Sequence, residues 1–81
     1  MSGKYPPLTP AQVEDILKRA GFTLKRTSSS HNQWEGNVKG KRRLVTVDQL
    51  SRRSETFGKK LLGEMIWQSG MTKDKFYSYH R

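Results

Sequence analysis

The chain has 81 residues, which leaves room for one small domain whose core is shared among few elements. It contains no cysteine, so disulfides and thiolate metal sites are excluded. Sixteen Lys and Arg residues against seven Asp and Glu give a net charge of +9 at pH 7. Such a charge indicates a polyanionic partner: a nucleic acid first, with a membrane surface or an acidic protein as alternatives.

No apolar run approaches the roughly 20 residues that span a bilayer, and the first residues lack the apolar core of a secretory signal. We therefore expect a cytoplasmic protein that does not enter a membrane. Residues 1–8, with Gly3, Pro6 and Pro7, are predicted to form a flexible lead-in before the folded domain.

The first helix is predicted over residues 10–20. Thr9 is suited to the N-cap, Pro10 to the first helical position, and Gln12 to closing a capping box. Apolar residues then recur at helical spacing and form one stripe: Val13, Ile16, Leu17 and Ala20. Gly21 follows, where a left-handed residue commonly ends a helix.

The first strand is predicted over residues 22–26, where apolar and polar side chains alternate. In this pattern Phe22 and Leu24 face the core and Lys25 faces outward. A short polar loop over residues 27–30 separates this strand from the next.

The second strand is predicted over residues 31–38. His31 and Trp34 are three positions apart, so they lie on opposite faces of the sheet. An inward Trp34 and an outward His31 fit this alternation, and core packing is favoured over base stacking for the indole.

A hairpin turn at Lys39-Gly40-Lys41 leads to a third strand over residues 42–47. Its alternation puts Val45 and Val47 inward. The polar stretch over residues 48–55 is predicted to be a loop.

A second helix is predicted over residues 56–68 from an apolar stripe that comprises Leu61, Leu62, Met65, Ile66 and, at its start, Phe57. Trp67 lies off this stripe, which leaves packing and partner binding both open. Gly70 ends the helix, and one further helical turn over residues 71–76 would fold Phe76 onto the core.

These elements predict an α+β fold with two layers in the order α-β-β-β-α: a three-stranded antiparallel sheet with both helices on one face. The folded domain covers residues 9–76, and residues 77–81 form a C-terminal tail. The other face of the sheet stays in water.

Positive charge is concentrated in the middle of the chain. Between residues 16 and 47, Glu35 is the one acidic residue, against eight cationic residues: Lys18, Arg19, Lys25, Arg26, Lys39, Lys41, Arg42 and Arg43. His31, one of two histidines, stands inside this segment next to Ser30. An imidazole among cations suggests chemistry on a phosphate-rich substrate.

Three pieces of the chain carry a resemblance to a known family: Ala20-Gly21-Phe22 at the end of the first helix, Ser30-His31 with Trp34 after it, and Met65-Ile66-Trp67-Gln68-Ser69-Gly70-Met71-Thr72 closed by Phe76. In this order and spacing, from about Val13 to Phe76, they resemble the HicA-type mRNA interferase toxins of bacterial toxin–antitoxin pairs. The resemblance implies a double-stranded-RNA-binding-domain-like fold, a toxin that cuts mRNA with His31, and neutralisation by a HicB-type antitoxin.

The chain departs from this family at three places. Ser29 stands where the family usually has glycine, Asn32 where a second histidine is common, and Val47-Asp48-Gln49-Leu50 where proline and histidine are common. These differences bear on which RNA sequence is cut.

RNA carries its own nucleophile, the 2′-hydroxyl, so a metal-free enzyme has to accept its proton and stabilise charge on the phosphoryl oxygens. A histidine side chain changes its protonation state near neutral pH, and neighbouring cations stabilise developing negative charge. We therefore predict His31 as the catalytic residue and a set of RNA-binding residues: Lys25, Arg26, Ser30, Lys41, Arg42 and Arg43.

No metal and no cofactor are predicted, because the acidic residues show no metal-ligand spacing, and no second acid–base group is evident. The main alternative is a non-catalytic basic RNA-binding module that uses the same surface for phosphate contacts. A small DNA-binding protein is a further alternative, but the chain lacks a recognition helix rich in Arg, Asn or Gln.

Overall fold

The computed structural model describes residues 5–28, 30–49 and 55–80. The elements, in chain order, are α1 (Pro10–Arg19), β1 (Thr23–Ser28), β2 (His31–Val38), β3 (Lys41–Asp48), α2 (Lys59–Ser69) and α3 (Lys73–Ser78). A three-stranded antiparallel sheet with helices confirms the predicted α+β fold. Most of the predicted loop over 48–55 lies outside the described residues.

Helix α1 begins as its sequence predicts. The Thr9 hydroxyl accepts a hydrogen bond from the backbone N–H of Gln12 at 3.2 Å, and the Gln12 side chain accepts one from the N–H of Thr9 at 2.9 Å. This reciprocal pair satisfies two N–H groups that have no partner inside the helix. The apolar stripe of α1 then faces the sheet.

Strands β2 and β3 form a regular hairpin, paired without a break from Val38 opposite Lys41 to His31 opposite Asp48. The two turn residues have positive φ angles, 55° at Lys39 and 77° at Gly40. This two-residue geometry matches the right-handed twist of the strands and fixes their register.

The core lies between the helices and one face of the sheet. Val45 and Val47 of β3 are fully buried there in one apolar cluster with residues of every helix: Val13, Ile16, Leu17, Leu62, Met65, Ile66 and Phe76. The prediction that α1 and α2 share one face is thus confirmed. Gly70 ends α2 with φ of 76°, as predicted.

Trp34 of β2 packs against this cluster on the helix side, as the alternation predicts. Its indole Nε1 donates a hydrogen bond to Glu14 Oε2 at 2.8 Å, and Asn32 Nδ2 donates to the same oxygen at 2.7 Å. Glu14 of α1 therefore ties the first helix to the middle strand.

Leu24 pairs with Trp34 and so points to the helix side as predicted, but it is not buried, because 48% of this residue is exposed. The register of β1 against β2 shifts between Leu24 and Arg26, which marks a bulge at Lys25. The helices pack mainly on β3, so the edge strand β1 is left largely uncovered. Phe22 is buried as predicted, with its ring so close to Gly36 that a Cβ there would lie 2.6 Å from it.

The packed region extends beyond the predicted limits of 9 and 76. Leu8 is fully buried, and its carbonyl oxygen accepts a hydrogen bond from the N–H of Phe57 at 2.9 Å. At the other end, the Tyr77 hydroxyl donates a hydrogen bond to the Pro6 carbonyl at 2.7 Å. Two segments predicted to be a lead-in and a tail therefore contact each other. In the part of the chain that the structure describes, no helix has the length and apolar character to cross a membrane.

Candidate functional site

The site is built on the face of the sheet that points away from the helices, here called the outer face. Residues paired directly across neighbouring strands share a face. Because Trp34 and Val45 pair on the helix side, the alternate pairs lie on the outer face: His31 with Asp48, Gln33 with Thr46, Glu35 with Leu44, and Asn37 with Arg42.

His31 is the first residue of β2, directly after the turn from β1, and 51% of its side chain is exposed. Its Nδ1 lies 3.1 Å from the Ser30 hydroxyl, and its Nε2 lies 2.9 Å from Asp48 Oδ1. Both ring nitrogens therefore have a polar partner, so the imidazole is held in one orientation while it remains open to water.

Asp48 is a member of this candidate site that the sequence prediction does not include, because the sequence predicts a loop from residue 48. The sequence does contain the signal. A two-residue turn at Lys39-Gly40 pairs residue 38 with 41, and the same register pairs His31 with Asp48 seven residues further along each strand. Strand β3 extends one residue beyond its predicted end, and this last residue is Asp48.

Two of the predicted cations are bound to a carboxylate at the other half of the outer face. The Arg42 guanidinium donates a hydrogen bond to Glu35 Oε2, and Lys25 Nζ lies 3.6 Å from Glu35 Oε1. Glu35 is four residues from His31 along β2, a separation of about 13 Å at the usual rise of a strand. Lys25 and Arg42 thus form a cluster separate from the imidazole.

The other residues predicted to bind RNA are divided between the two ends and the two faces of the sheet. Ser30 contacts His31, and Arg26 pairs with Gln33, about 7 Å along the strand from His31 by the same rise. Lys41 lies at the hairpin end of the sheet. Arg43 pairs with Gly36 and lies on the helix side. The fold therefore brings Ser30 and Arg26 near His31, and keeps Lys41 and Arg43 away from it.

The Glu35 cluster gives a pH-dependent prediction. The hydrogen bond from Arg42 lowers the pKa of the Glu35 carboxyl, with a smaller contribution from the charge of Lys25. A lowered pKa means that this carboxylate stabilises the fold above its ordinary pKa, and that the contribution is lost as the pH falls through the lowered value. We expect Arg42→Gln to raise the midpoint of the Glu35 carboxyl titration measured by NMR.

The matched control for this titration is Arg19→Gln. Arg19 Nε pairs with Asp15 Oδ2 at 2.7 Å on α1, so its removal also takes one cation from the protein but leaves Glu35 untouched. Equal shifts of the Glu35 midpoint in both variants would show that net charge, and not the Arg42 contact, sets it.

No protein-family model and no curated protein matches this sequence. The likeness to HicA-type toxins therefore depends on the motifs in the chain itself, and it stays a prediction. Among the described residues, no group of three or more His, Asp or Glu side chains could hold a metal ion. The site as described consists of an imidazole, a hydroxyl and a carboxylate on an exposed sheet face.

Proposed function

We propose that this protein is a metal-independent endoribonuclease that cuts mRNA with His31. The observation that supports it best is the Ser30–His31–Asp48 arrangement, in which an exposed imidazole is held at both nitrogens on the open face of a strongly basic domain.

The hydrogen bonds suggest how the imidazole would act. When Nε2–H donates to Asp48, Nδ1 carries the free lone pair, and the Ser30 hydroxyl marks the place where a substrate hydroxyl would donate. This is the arrangement of serine-hydrolase triads with the two ring nitrogens exchanged and the ribose hydroxyl as nucleophile.

In the proposed reaction, Nδ1 of His31 accepts the proton of the 2′-hydroxyl, and the 2′-oxygen bonds to the neighbouring phosphorus. The bond from phosphorus to the 5′-oxygen breaks, and the leaving oxygen takes a proton from solvent water, which reaches this half-exposed site. The products are a 2′,3′-cyclic phosphate, which water can open to a 3′-phosphate, and a 5′-hydroxyl. Arg26 is the predicted cation best placed to stabilise charge on the phosphoryl oxygens.

The biological role we propose follows the HicA resemblance. The protein would be the toxin of a type II toxin–antitoxin pair, acting in the cytoplasm, and its cleavage of mRNA would stop translation and growth. A HicB-type antitoxin would neutralise it by covering the outer face and occluding His31.

The test is to incubate the purified protein with an end-labelled RNA in the presence of EDTA and to map the ends of the fragments. We expect cleavage that EDTA does not inhibit, with 2′,3′-cyclic or 3′-phosphate ends and 5′-hydroxyl ends. Fragments with 5′-phosphate ends would contradict the proposed route, because attack by the ribose hydroxyl cannot produce them.

A second candidate is a non-catalytic RNA-binding module. It is favoured by one observation: the predicted cations are spread over both faces and both ends of the sheet, and only Arg26 lies near the imidazole. A phosphate-binding surface needs cations along a backbone, not around one ring. This candidate predicts RNA binding that weakens with salt, without any cleavage.

Asp48 is assigned as a positioning residue, since it acts through His31. We expect Asp48→Asn to lower the cleavage rate by about tenfold to a hundredfold, less than in a buried triad because both side chains are partly exposed to water. The readout specific to positioning is the ¹⁵N chemical shifts of the His31 imidazole, which should report a changed tautomer. Asp48→Glu should restore part of the activity, and an unchanged tautomer in Asp48→Asn would contradict the assignment.

A further inference from the structure

Two cavities on the helix side of the protein meet at Gly70 and Met71, and together they form a surface that we call the Met71 groove. One cavity has a volume of about 300 Å³ and lies beside Arg43, Trp67 and Gln68. The other has a volume of about 420 Å³ and is lined by residues that include Val38, Lys39, Lys75 and Tyr79. The groove therefore runs from the end of α2 to the hairpin turn.

The groove is distinct from the proposed catalytic site. Arg43 pairs with Gly36 on the helix side of the sheet, and Lys39 is in the β2–β3 turn. His31 is at the opposite end of β2 and on the outer face. A ligand in the Met71 groove would not touch the imidazole.

Arg43 gives the groove a directional donor. The guanidinium approaches Gly70 so closely that a Cβ on that residue would lie 2.5 Å from Arg43 Nε. This Nε is buried, and among the described residues it has no hydrogen-bond partner. Buried donors without a partner are rare in folded proteins and costly, so an acceptor supplied by a ligand at Arg43 would remove this cost.

Apolar groups lie on both sides of this donor. Trp67 is 81% exposed on the surface of α2, by far the most exposed of the large apolar residues described. Met71 and Val38 form an aliphatic floor in the adjoining cavity, next to the Tyr79 ring. Tryptophan and arginine are the residue types most enriched at the energetic centres of protein interfaces.

Charge indicates the nature of the ligand. The groove is lined by three cationic side chains, Arg43, Lys39 and Lys75, and none of the described residues that line it is acidic. We propose that the Met71 groove binds an acidic segment of a protein partner, with a carboxylate on Arg43 and an aliphatic side chain over Met71. RNA would meet the same cations and a base could stack on Trp67, but a ribose-phosphate chain has no aliphatic group to pack on Met71 and Val38.

The protein offers an internal reporter for this binding, because it has two tryptophans and therefore two indole N–H signals in a ¹H–¹⁵N spectrum. Trp67 lines the groove, whereas the Trp34 indole is engaged with Glu14. The probe is a short synthetic peptide in which leucine alternates with glutamate, added to the full-length protein. We expect the Trp67 signal to shift in a saturable way and the Trp34 signal to stay in place.

Four controls decide the outcome. A peptide with glutamine in place of each glutamate should bind about tenfold more weakly or worse, since the charge-assisted bond to Arg43 is lost. Arg43→Gln should weaken binding of the acidic peptide by a similar factor, and Trp67→Ala should weaken it as measured by labelled-peptide anisotropy. Lys59→Gln, which removes an exposed cation outside the groove, should have little effect.

The proposal is overturned if the acidic peptide leaves the Trp67 signal unmoved, or if the glutamine peptide binds equally well. It is also overturned if a short single-stranded RNA shifts Trp67 and displaces the peptide at lower concentration, because the groove would then be part of an RNA surface. The inference is independent of the nuclease proposal. His31→Ala should bind the peptide as the wild type does, whatever its effect on RNA cleavage.

Discussion

His31→Ala is expected to abolish RNA cleavage while leaving the fold and most of the RNA affinity intact. Proton transfer by a positioned side chain typically contributes about 10²- to 10⁴-fold to a rate, and here the described site contains one imidazole to supply it. The side chain is half exposed, and its contacts are with Ser30 and Asp48 at the surface. Its removal therefore takes nothing from the apolar core.

The measurement is the initial rate of cleavage of a labelled RNA in EDTA, alongside RNA affinity by filter binding and stability by thermal denaturation. His80→Ala is the matched control, because His80 is the only other histidine and its ring packs against Tyr77, away from the outer face. Expression of each variant in bacteria adds a second readout. We expect the wild type and His80→Ala to arrest growth, and His31→Ala to be tolerated.

The same variant separates the two candidate functions. If His31→Ala still cuts RNA at the wild-type rate, the proposed mechanism is wrong, and a wild type that binds RNA without cutting it identifies the binding module. In that case Arg26→Gln should weaken binding and reduce its salt dependence, since each phosphate contact releases bound counterions. A nuclease would instead lose rate in Arg26→Gln more than it loses affinity.

The sequence predicts the position of His31 because the β2–β3 hairpin fixes the limits of β2 and the face on which each of its side chains lies. Alternation and a turn with glycine gave the limits of β2 as 31–38, which the structure confirms, and they put His31 outward. The same rule, carried across the turn, also assigns Arg43 to the helix side, because it shares parity with the inward Val45 and Val47. Arg43 is predicted to contact RNA because it is cationic, and that prediction takes no account of the face of the sheet on which its strand register places it.

The bulge in β1 and the ion pairs of Glu35 depend on contacts between strands, which the alternation of residues along one strand does not reveal. The bulge at Lys25 changes which side chains of β1 face outward, and nothing in the local sequence marks it. The pairing of Lys25 and Arg42 with Glu35 needs three residues from three strands to meet on one face. Charge counts along the chain therefore overstated the cations available to His31.

The limits of the domain could not be predicted because proline-rich residues before a helix resemble a linker. In the structure, however, Leu8 belongs to the core cluster, and its carbonyl accepts a hydrogen bond from the N–H of Phe57, a buried residue two positions before α2. A segment of this kind has no periodicity of its own, so only the tertiary contact shows that it belongs to the fold.

Leu8→Ala tests this directly, and we expect it to have the largest effect on stability of the changes considered. Truncating a fully buried leucine costs about 2–5 kcal/mol, through lost transfer free energy and the cavity left behind. A domain of this size has a total free energy of unfolding of about 5–15 kcal/mol, so the variant should lose a large share of it. Urea denaturation followed by circular dichroism gives the free energy of unfolding.

Pro7→Ala is the matched control, because Pro7 is the neighbouring residue and is exposed. Leu8→Met, which nearly conserves volume, should cost less than about 1.5 kcal/mol. If residues before Thr9 acted only as a lead-in, Leu8→Ala and Pro7→Ala would both lie within about 0.5 kcal/mol of the wild type, the range of ordinary surface substitutions. A loss confined to Leu8→Ala, and largely recovered in Leu8→Met, would assign this side chain to the core that holds the helices against β3 and so supports the outer face.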